Sequence, residues 1–289
     1  MASFCRWCSA WARACASRRR RRPSASWRAG SAPLSTTRAP ELASLRQLRQ
    51  ALAVLQPSAL ACVRARCPLC GPTLLVRLNH SEQGVRCVRC GASAVHLSLG
   101  AVLRATCPDL RRRDAYELSA RGPLVAWLRR EVRSLTLSEY LPDVPAGTVR
   151  GGVRSEDVQR LSFADASFDL VTHTEVLEHV PDDRRALAEL QRVLRPGGLM
   201  LFTVPLHDAG CTRERARRHG DRIEHLLEPA WHTDPLRGGA GILVYRDYGR
   251  DLPARVRAAG FGEVALQLPH PPLPWLPPRA VVVARKDLA

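Results

Sequence analysis

The stretch Leu161–Leu206, LSFADASFDLVTHTEVLEHVPDDRRALAELQRVLRPGGLMLFTVPL, constrains this chain more than any other. Phe168–Thr174 (FDLVTHT) is a short apolar run rich in β-formers, the pattern of a strand buried in a parallel sheet. Ala186, Leu187, Leu190, Val193 and Leu194 recur at helical spacing and make one apolar stripe. Pro196 stops that helix and Gly197-Gly198 turns the chain. Leu199–Val204 (LMLFTV) then reads as a second buried strand. Strand, helix and strand in one sheet require a right-handed crossover, so an α/β fold is expected. Ligands of such sheets sit beyond the carboxyl ends of the strands, here near Thr174–Glu178 and Pro205–His207.

Within and just before this stretch, Asp157, Leu161-Ser162-Phe163, Phe168-Asp169, Leu177-Glu178-His179 and Leu194-Arg195-Pro196-Gly197-Gly198 follow one another in order. This series resembles the second half of a class I S-adenosylmethionine-dependent methyltransferase of the small-molecule type, the "type 11" group. The resemblance implies a Rossmann-like, seven-stranded sheet over residues 111–289. Upstream, the family places Glu-x-Gly-x-Gly-x-Gly after its first strand. The matching segment here is Glu117-Leu118-Ser119-Ala120-Arg121-Gly122, one residue shorter and with Gly122 alone of the glycines. Pro123 opens the helix that follows, to Val132, where its missing donor costs nothing. Leu135–Leu137 is the next strand, and Glu139 just past it takes the place of the acid that binds the ribose hydroxyls. Asp157 matches the acid that accepts from the adenine amino group, and Asp169 matches a mostly structural one. By resemblance, Glu117, Gly122, Glu139, Asp157, Thr174 and Glu175 are the expected cofactor contacts. His207 and His179 are the expected catalytic bases, with His232 a third candidate, because a histidine titrates near neutrality.

A second signal lies upstream. Cys67-Pro-Leu-Cys70-Gly and Cys87-Val-Arg-Cys90-Gly are turns in which two thiolates reach one ion and the glycine permits the tight backbone. With strand-like Leu74–Leu78 and Val85–Val88 between them, they predict a zinc ribbon holding structural Zn2+. Four cysteines close the coordination shell, which excludes a catalytic zinc there. His80 and His96 are spare ligand candidates but read as ordinary surface or hairpin residues, and Cys62, Cys107 and Cys211 as buried thiols.

The formal net charge is +17, but residues 1–40 hold nine arginines and no acid. Nearly all the base is arginine, so charge by itself argues weakly for nucleic acid. The expected organisation is a basic disordered tail (1–40), an amphipathic helix (41–62), a zinc-ribbon module (63–110) and a methyltransferase domain (111–289). Paired Cys-x-x-Cys units point to a reducing compartment, and no run reaches membrane-span length, so a cytoplasmic protein is expected. Beyond Leu206, Trp231, His232, Asp234, Gly238-Gly239, Tyr245 and Tyr248 either line a substrate pocket or form a surface excursion with a small aromatic core. Three functions compete: methyl transfer to a small-molecule or sugar-type acceptor, methyl transfer to ribosomal RNA, and non-catalytic binding on a degenerate cofactor loop. An RNA enzyme would show steeply salt-dependent binding, and the ribbon offers few aromatics for base stacking.

Overall fold

The computed structural model describes residues 55–81, 84–233, 241–275 and 279–288. The expected tail over 1–40 lies outside them, as do Asp234 and Gly238-Gly239. The chain divides into two compact units. The larger holds the described residues of 35–177, 182–204 and 253–289, the smaller those of 178–181 and 205–252.

The larger unit begins with a three-stranded antiparallel sheet of β1 (Ala61–Cys67), β2 (Gly71–Arg77) and β3 (Val85–Cys87). Residues 41–54 of the helix expected over 41–62 lie outside the described residues, and the rest of that span is not α-helical. Pro57–Ala59 is a single 3-10 turn, and Ala61 already pairs with Arg77. Side chains from Ala61 onward alternate between half-buried and exposed, so the pattern has period two, not 3.6. Next comes α1 (Ala94–Thr106), within the span expected for the ribbon. It packs against the central sheet instead of closing a separate module.

That sheet has six strands among the described residues. β4 (Asp114–Glu117) leads through α2 (Pro123–Glu131) to β5 (Ser134–Leu137). A small hairpin, β6 (Val149–Arg150) and β7 (Val153–Arg154), precedes β8 (Phe168–Thr174), α3 (Asp183–Val193) and β9 (Leu194–Thr203). The neighbours β5, β4, β8 and β9 are parallel. Completing the sheet, β17 (Val281–Lys286) pairs antiparallel with β9 and β16 (Phe261–Gln267) antiparallel with β17. This is the α/β, Rossmann-like architecture expected, with one strand fewer. Gly151 and Gly152, at φ +60 and +77, fold β6 back onto β7, so its hydrogen bonds are made locally. Only a single parallel bridge, Glu139 to Ser155, continues the sheet past β5.

The crossover forms where its sequence announces it, but α3 ends at Val193. Leu194 and the Pro196-Gly197-Gly198 expected as helix end and turn therefore lie within β9, where a register shift opposite Phe168–Leu170 takes up the extra residues. Asp182 caps α3 by accepting the Arg185 backbone N–H at 3.1 Å, a contact worth about 1 kcal/mol. Ala186, Leu187, Leu190 and Val193 are all buried. Asp169 proves structural: its carboxylate accepts the Asp114 N–H at 2.8 Å and pairs with Arg195 at 2.8 Å, tying β8 to β4. One apolar core runs from the ribbon (Leu69, Leu75, Val85) through α1 (Leu97, Leu99, Leu103) to the sheet (Leu170, Leu199, Leu201, Val283). Gly100 lets α1 approach the first cysteine turn, since a Cβ there would overlap the Leu69 side chain. Cys107 is a buried free thiol, whereas Cys62 is exposed and Cys211, half-buried, is disulfide-bonded and so not the thiol expected.

The smaller unit is built of short two-stranded ribbons. β10 (Arg213–Glu214) pairs with β15 (Arg246–Asp247), β11 (Ala216–His219) with β12 (Arg222–His225), and β13 (Trp231–Thr233) with β14 (Gly241–Leu243). Ala216, Leu243 and Tyr245 form its core with Ile223 packed against them. Arg246 is buried and donates to the carbonyls of Val180 at 2.6 Å and Pro181 at 2.8 Å, which anchors residues 178–181 to β15. Of the aromatics considered for a pocket, Tyr245 and Tyr248 are buried and Trp231 is exposed. Among the described residues no helix is long and apolar enough to cross a membrane.

Candidate functional site

The order β5-β4-β8-β9 reverses direction between β4 and β8, because the chain leaves β4 toward β5 and leaves β8 toward β9. Helix crossovers on either side of such a point leave a crevice at the carboxyl ends of the two strands. Glu117 and Thr172 are Cα partners at that edge, and the Thr172 hydroxyl donates to the Glu117 carboxylate. Glu117 is fully buried; that burial, opposed by the Thr172 hydrogen bond, pushes its carboxyl up to about 8.

The loop after β4 is shaped by two features foreseen from sequence. Gly122 is the N-cap of α2 with φ +111, a conformation that a residue with a Cβ reaches only under strain. Glu139, just past β5, reaches back to the loop. Its Oε1 accepts the Ala120 backbone N–H at 2.8 Å and the Ser119 hydroxyl at 3.3 Å. The short loop with Ser119-Ala120-Arg121 is thereby held through the Ser119 hydroxyl and the Ala120 backbone.

Asp157 lies two residues past Ser155, the bridge partner of Glu139. Its Oδ1 accepts from the Gln159 backbone N–H at 2.9 Å and the Gln159 side-chain amide at 3.1 Å, an Asx turn that orients the carboxylate. Thr174 ends β8 opposite Thr203. Glu175 follows at φ +53, unusual for a residue with a side chain, with its N–H bonded to the Thr203 carbonyl at 2.9 Å. Arg279, which sequence reasoning missed, pairs with the Glu175 carboxylate at 2.5 Å. A separation of 104 residues left no local signal for that contact. Thr172 was also missed, although its place on the same strand face as Thr174 follows from the period of two.

The histidine candidates lie in the smaller unit. His207 is half exposed, with Nε2 3.9 Å from Asp247. His179 donates from Nδ1 to the Leu243 carbonyl at 2.9 Å, and its Nε2 lies 3.1 Å from His232 Nδ1.

Away from the sheet crevice, the four cysteines of the ribbon converge. Their sulfurs all lie within 4.8 Å of one another, with Cys67–Cys90 at 3.7 Å and Cys70–Cys87 at 3.5 Å. Four thiolates around one tetrahedral ion at about 2.3 Å stand roughly 3.8 Å apart, so the set fits such an ion. Gly71 and Gly91, at φ +85 and +74, make the two turns in the left-handed region, as the Cys-x-x-Cys-Gly pattern requires. Burial and the neighbouring thiols push Cys70 up, and burial pushes Cys90 up to about 11. Such crowded sulfurs ionise together only around a cation. His96 is no ligand. Its Nδ1 accepts the Ser93 N–H at 3.3 Å at the start of α1, and burial lowers it to about 4.

In doubly wound α/β sheets, ligands bind in the crevice outside the carboxyl ends of the strands at such a switch point. The family described as "Methyltransferase domain" matches residues 119–202 of this chain. A thiol S-methyltransferase of Rattus norvegicus is 34% identical over 115 residues, 40% of this chain and 41% of that protein. A dimethylglycine N-methyltransferase of Parasynechococcus marenigrum is 33% identical over 114 residues, 37% of this chain and 40% of that one. The chain thus spans about two fifths of the length of the curated relatives it matches. The crystal structure of the Burkholderia thailandensis 1,6-didemethyltoxoflavin N1-methyltransferase superposes with a TM-score of 0.42 at 20% identity, covering 65% of this chain and 76% of that one.

Proposed function

We propose that this protein is an S-adenosylmethionine-dependent methyltransferase acting on a small molecule bearing a thiol, amine or hydroxyl, with a structural zinc ion held by Cys67, Cys70, Cys87 and Cys90. The observation that carries the reading is the paired acids at the switch point. Glu117 is buried beneath the loop, and Glu139 grips that loop through the Ala120 N–H. The names of the curated relatives, which cover thiol and amine acceptors, support the acceptor class.

When bound, the cofactor supplies an electrophilic methyl group on a sulfonium; the protein supplies alignment and excludes water. Glu139 is the proposed acceptor for the ribose hydroxyls and Asp157 for the adenine amino group. Gly122 lets the backbone at the start of α2 come close. Thr174 and Glu175 form the far wall, with Glu175 fixed in its left-handed conformation by Arg279. For an acceptor that must lose a proton, His207 is the proposed base, because its imidazole is half exposed and has Asp247 beside it.

Calorimetry with S-adenosylmethionine tests the reading. Glu139→Gln keeps an oxygen for the Ala120 N–H but loses the charge-assisted bond to the ribose. That loss is about 1.5–3 kcal/mol, a roughly ten- to hundredfold weaker Kd. A wild-type chain that binds no cofactor would end the proposal.

A further inference from the structure

The smaller unit holds a second convergence of ligand atoms. Among the described residues, the ribbon cysteines and the trio Glu178, His179 and His232 are the groups whose ligand atoms all lie within 4.8 Å of one another. The trio forms a triangle. His179 Nε2 is 3.1 Å from His232 Nδ1 and 3.7 Å from Glu178 Oε1, and His232 Nδ1 is 3.9 Å from the same oxygen. Nitrogen and oxygen ligands at about 2.1 Å from a tetrahedral ion stand roughly 3.4 Å apart, within the range of those three separations.

The surroundings prepare these atoms for a metal. The Leu243 carbonyl can only accept, so His179 Nδ1 carries the proton, and in the neutral ring Nε2 keeps its lone pair toward His232 and Glu178. A backbone carbonyl on the far nitrogen is the usual device that orients a ligating imidazole. Glu178 is positioned through its own backbone, its carbonyl accepting the Tyr245 N–H at 2.7 Å. Its carboxylate is only 1% exposed. The two rings meet edge to face, 4.8 Å between centroids at 81°.

We infer that Glu178, His179 and His232 form a second metal site, distinct from the ribbon cysteines, for a divalent transition ion of the zinc type. The donor set is two imidazoles and one carboxylate with no thiolate, which suits Zn2+, Co2+ or Fe2+ and disfavours Mg2+ and Ca2+. With three protein ligands and His232 45% exposed, the fourth position faces solvent and takes water or a small anion.

Cobalt distinguishes this site from the ribbon, because only thiolate ligation gives intense sulfur-to-metal charge-transfer bands. The full chain, stripped with chelator and titrated with Co2+ alone under reducing conditions, is expected to bind two equivalents. One carries the charge-transfer bands and the other only weak visible absorption. His232→Ala, at a half-exposed position, is expected to weaken the second equivalent at least about tenfold and leave the thiolate bands unchanged. His179→Ala gives an independent second reading, with the thiolate bands reporting that each variant is folded. A single equivalent in the wild-type chain, or a second equivalent indifferent to both substitutions, overturns the inference.

Discussion

Glu117→Gln isolates the charge that the proposed cofactor must meet. In the free protein, burial pushes the Glu117 carboxyl up to about 8. At pH 7 about nine such groups in ten therefore carry a proton. A sulfonium and ammonium ligand favours the ionised form, so binding S-adenosylmethionine should expel about 0.9 proton at pH 7. Affinity should rise about tenfold per pH unit below 8 and level off above it. The same group sets a stability slope of opposite sense. Its folded pKa lies above the unfolded value of 4.5, so the contribution is full below pH 4.5 and is lost as pH rises through about 8. The difference amounts to about 5 kcal/mol. Glutamine is isosteric, still accepts from the Thr172 hydroxyl and cannot titrate. Calorimetry at pH 7 in buffers of different ionisation enthalpy counts the protons released, and urea melts between pH 5 and 9 read the stability slope. Binding heats independent of the buffer, or an equal proton count in Glu117→Gln, would refute the argument.

Three further outcomes are expected. Leu190→Ala removes a fully buried side chain from the α3 stripe and should destabilise by about 2–5 kcal/mol, read as a lower urea midpoint at unchanged m value. Chelation of the ribbon metal, or Cys87→Ser, should lower the melting temperature of the larger unit as a whole, because Cys87 and Leu75 share one apolar core with α1 and the sheet. A melt that affects β1–β3 alone would show the ribbon to be independent. His207→Ala should reduce kcat by about a hundredfold or more at neutral pH while leaving cofactor affinity unchanged in calorimetry, and unaltered turnover would remove the base assignment.

Much of the fold was legible because its signals are local. Phe168–Thr174 matches the observed strand end to end, and the stripe from Ala186 to Val193 is the buried face of α3. The Cys-x-x-Cys-Gly turns were readable because ligand spacing and glycine conformation are both encoded within five residues. Gly122 could be placed at the start of α2 for the same reason: a positive φ before a proline-led helix is a backbone demand.

What sequence alone determined was period, punctuation and thiol spacing, each a property of neighbours along the chain. Tertiary structure decided that the third parallel strand shrinks to one bridge, because a hairpin closes upon itself through Gly151-Gly152. Packing decided that the ribbon and the sheet share one core. It brought Arg279 to Glu175 across 104 residues and His232 to His179 across 53. Such contacts are chosen by which faces must be buried together, and no window of the sequence contains both partners.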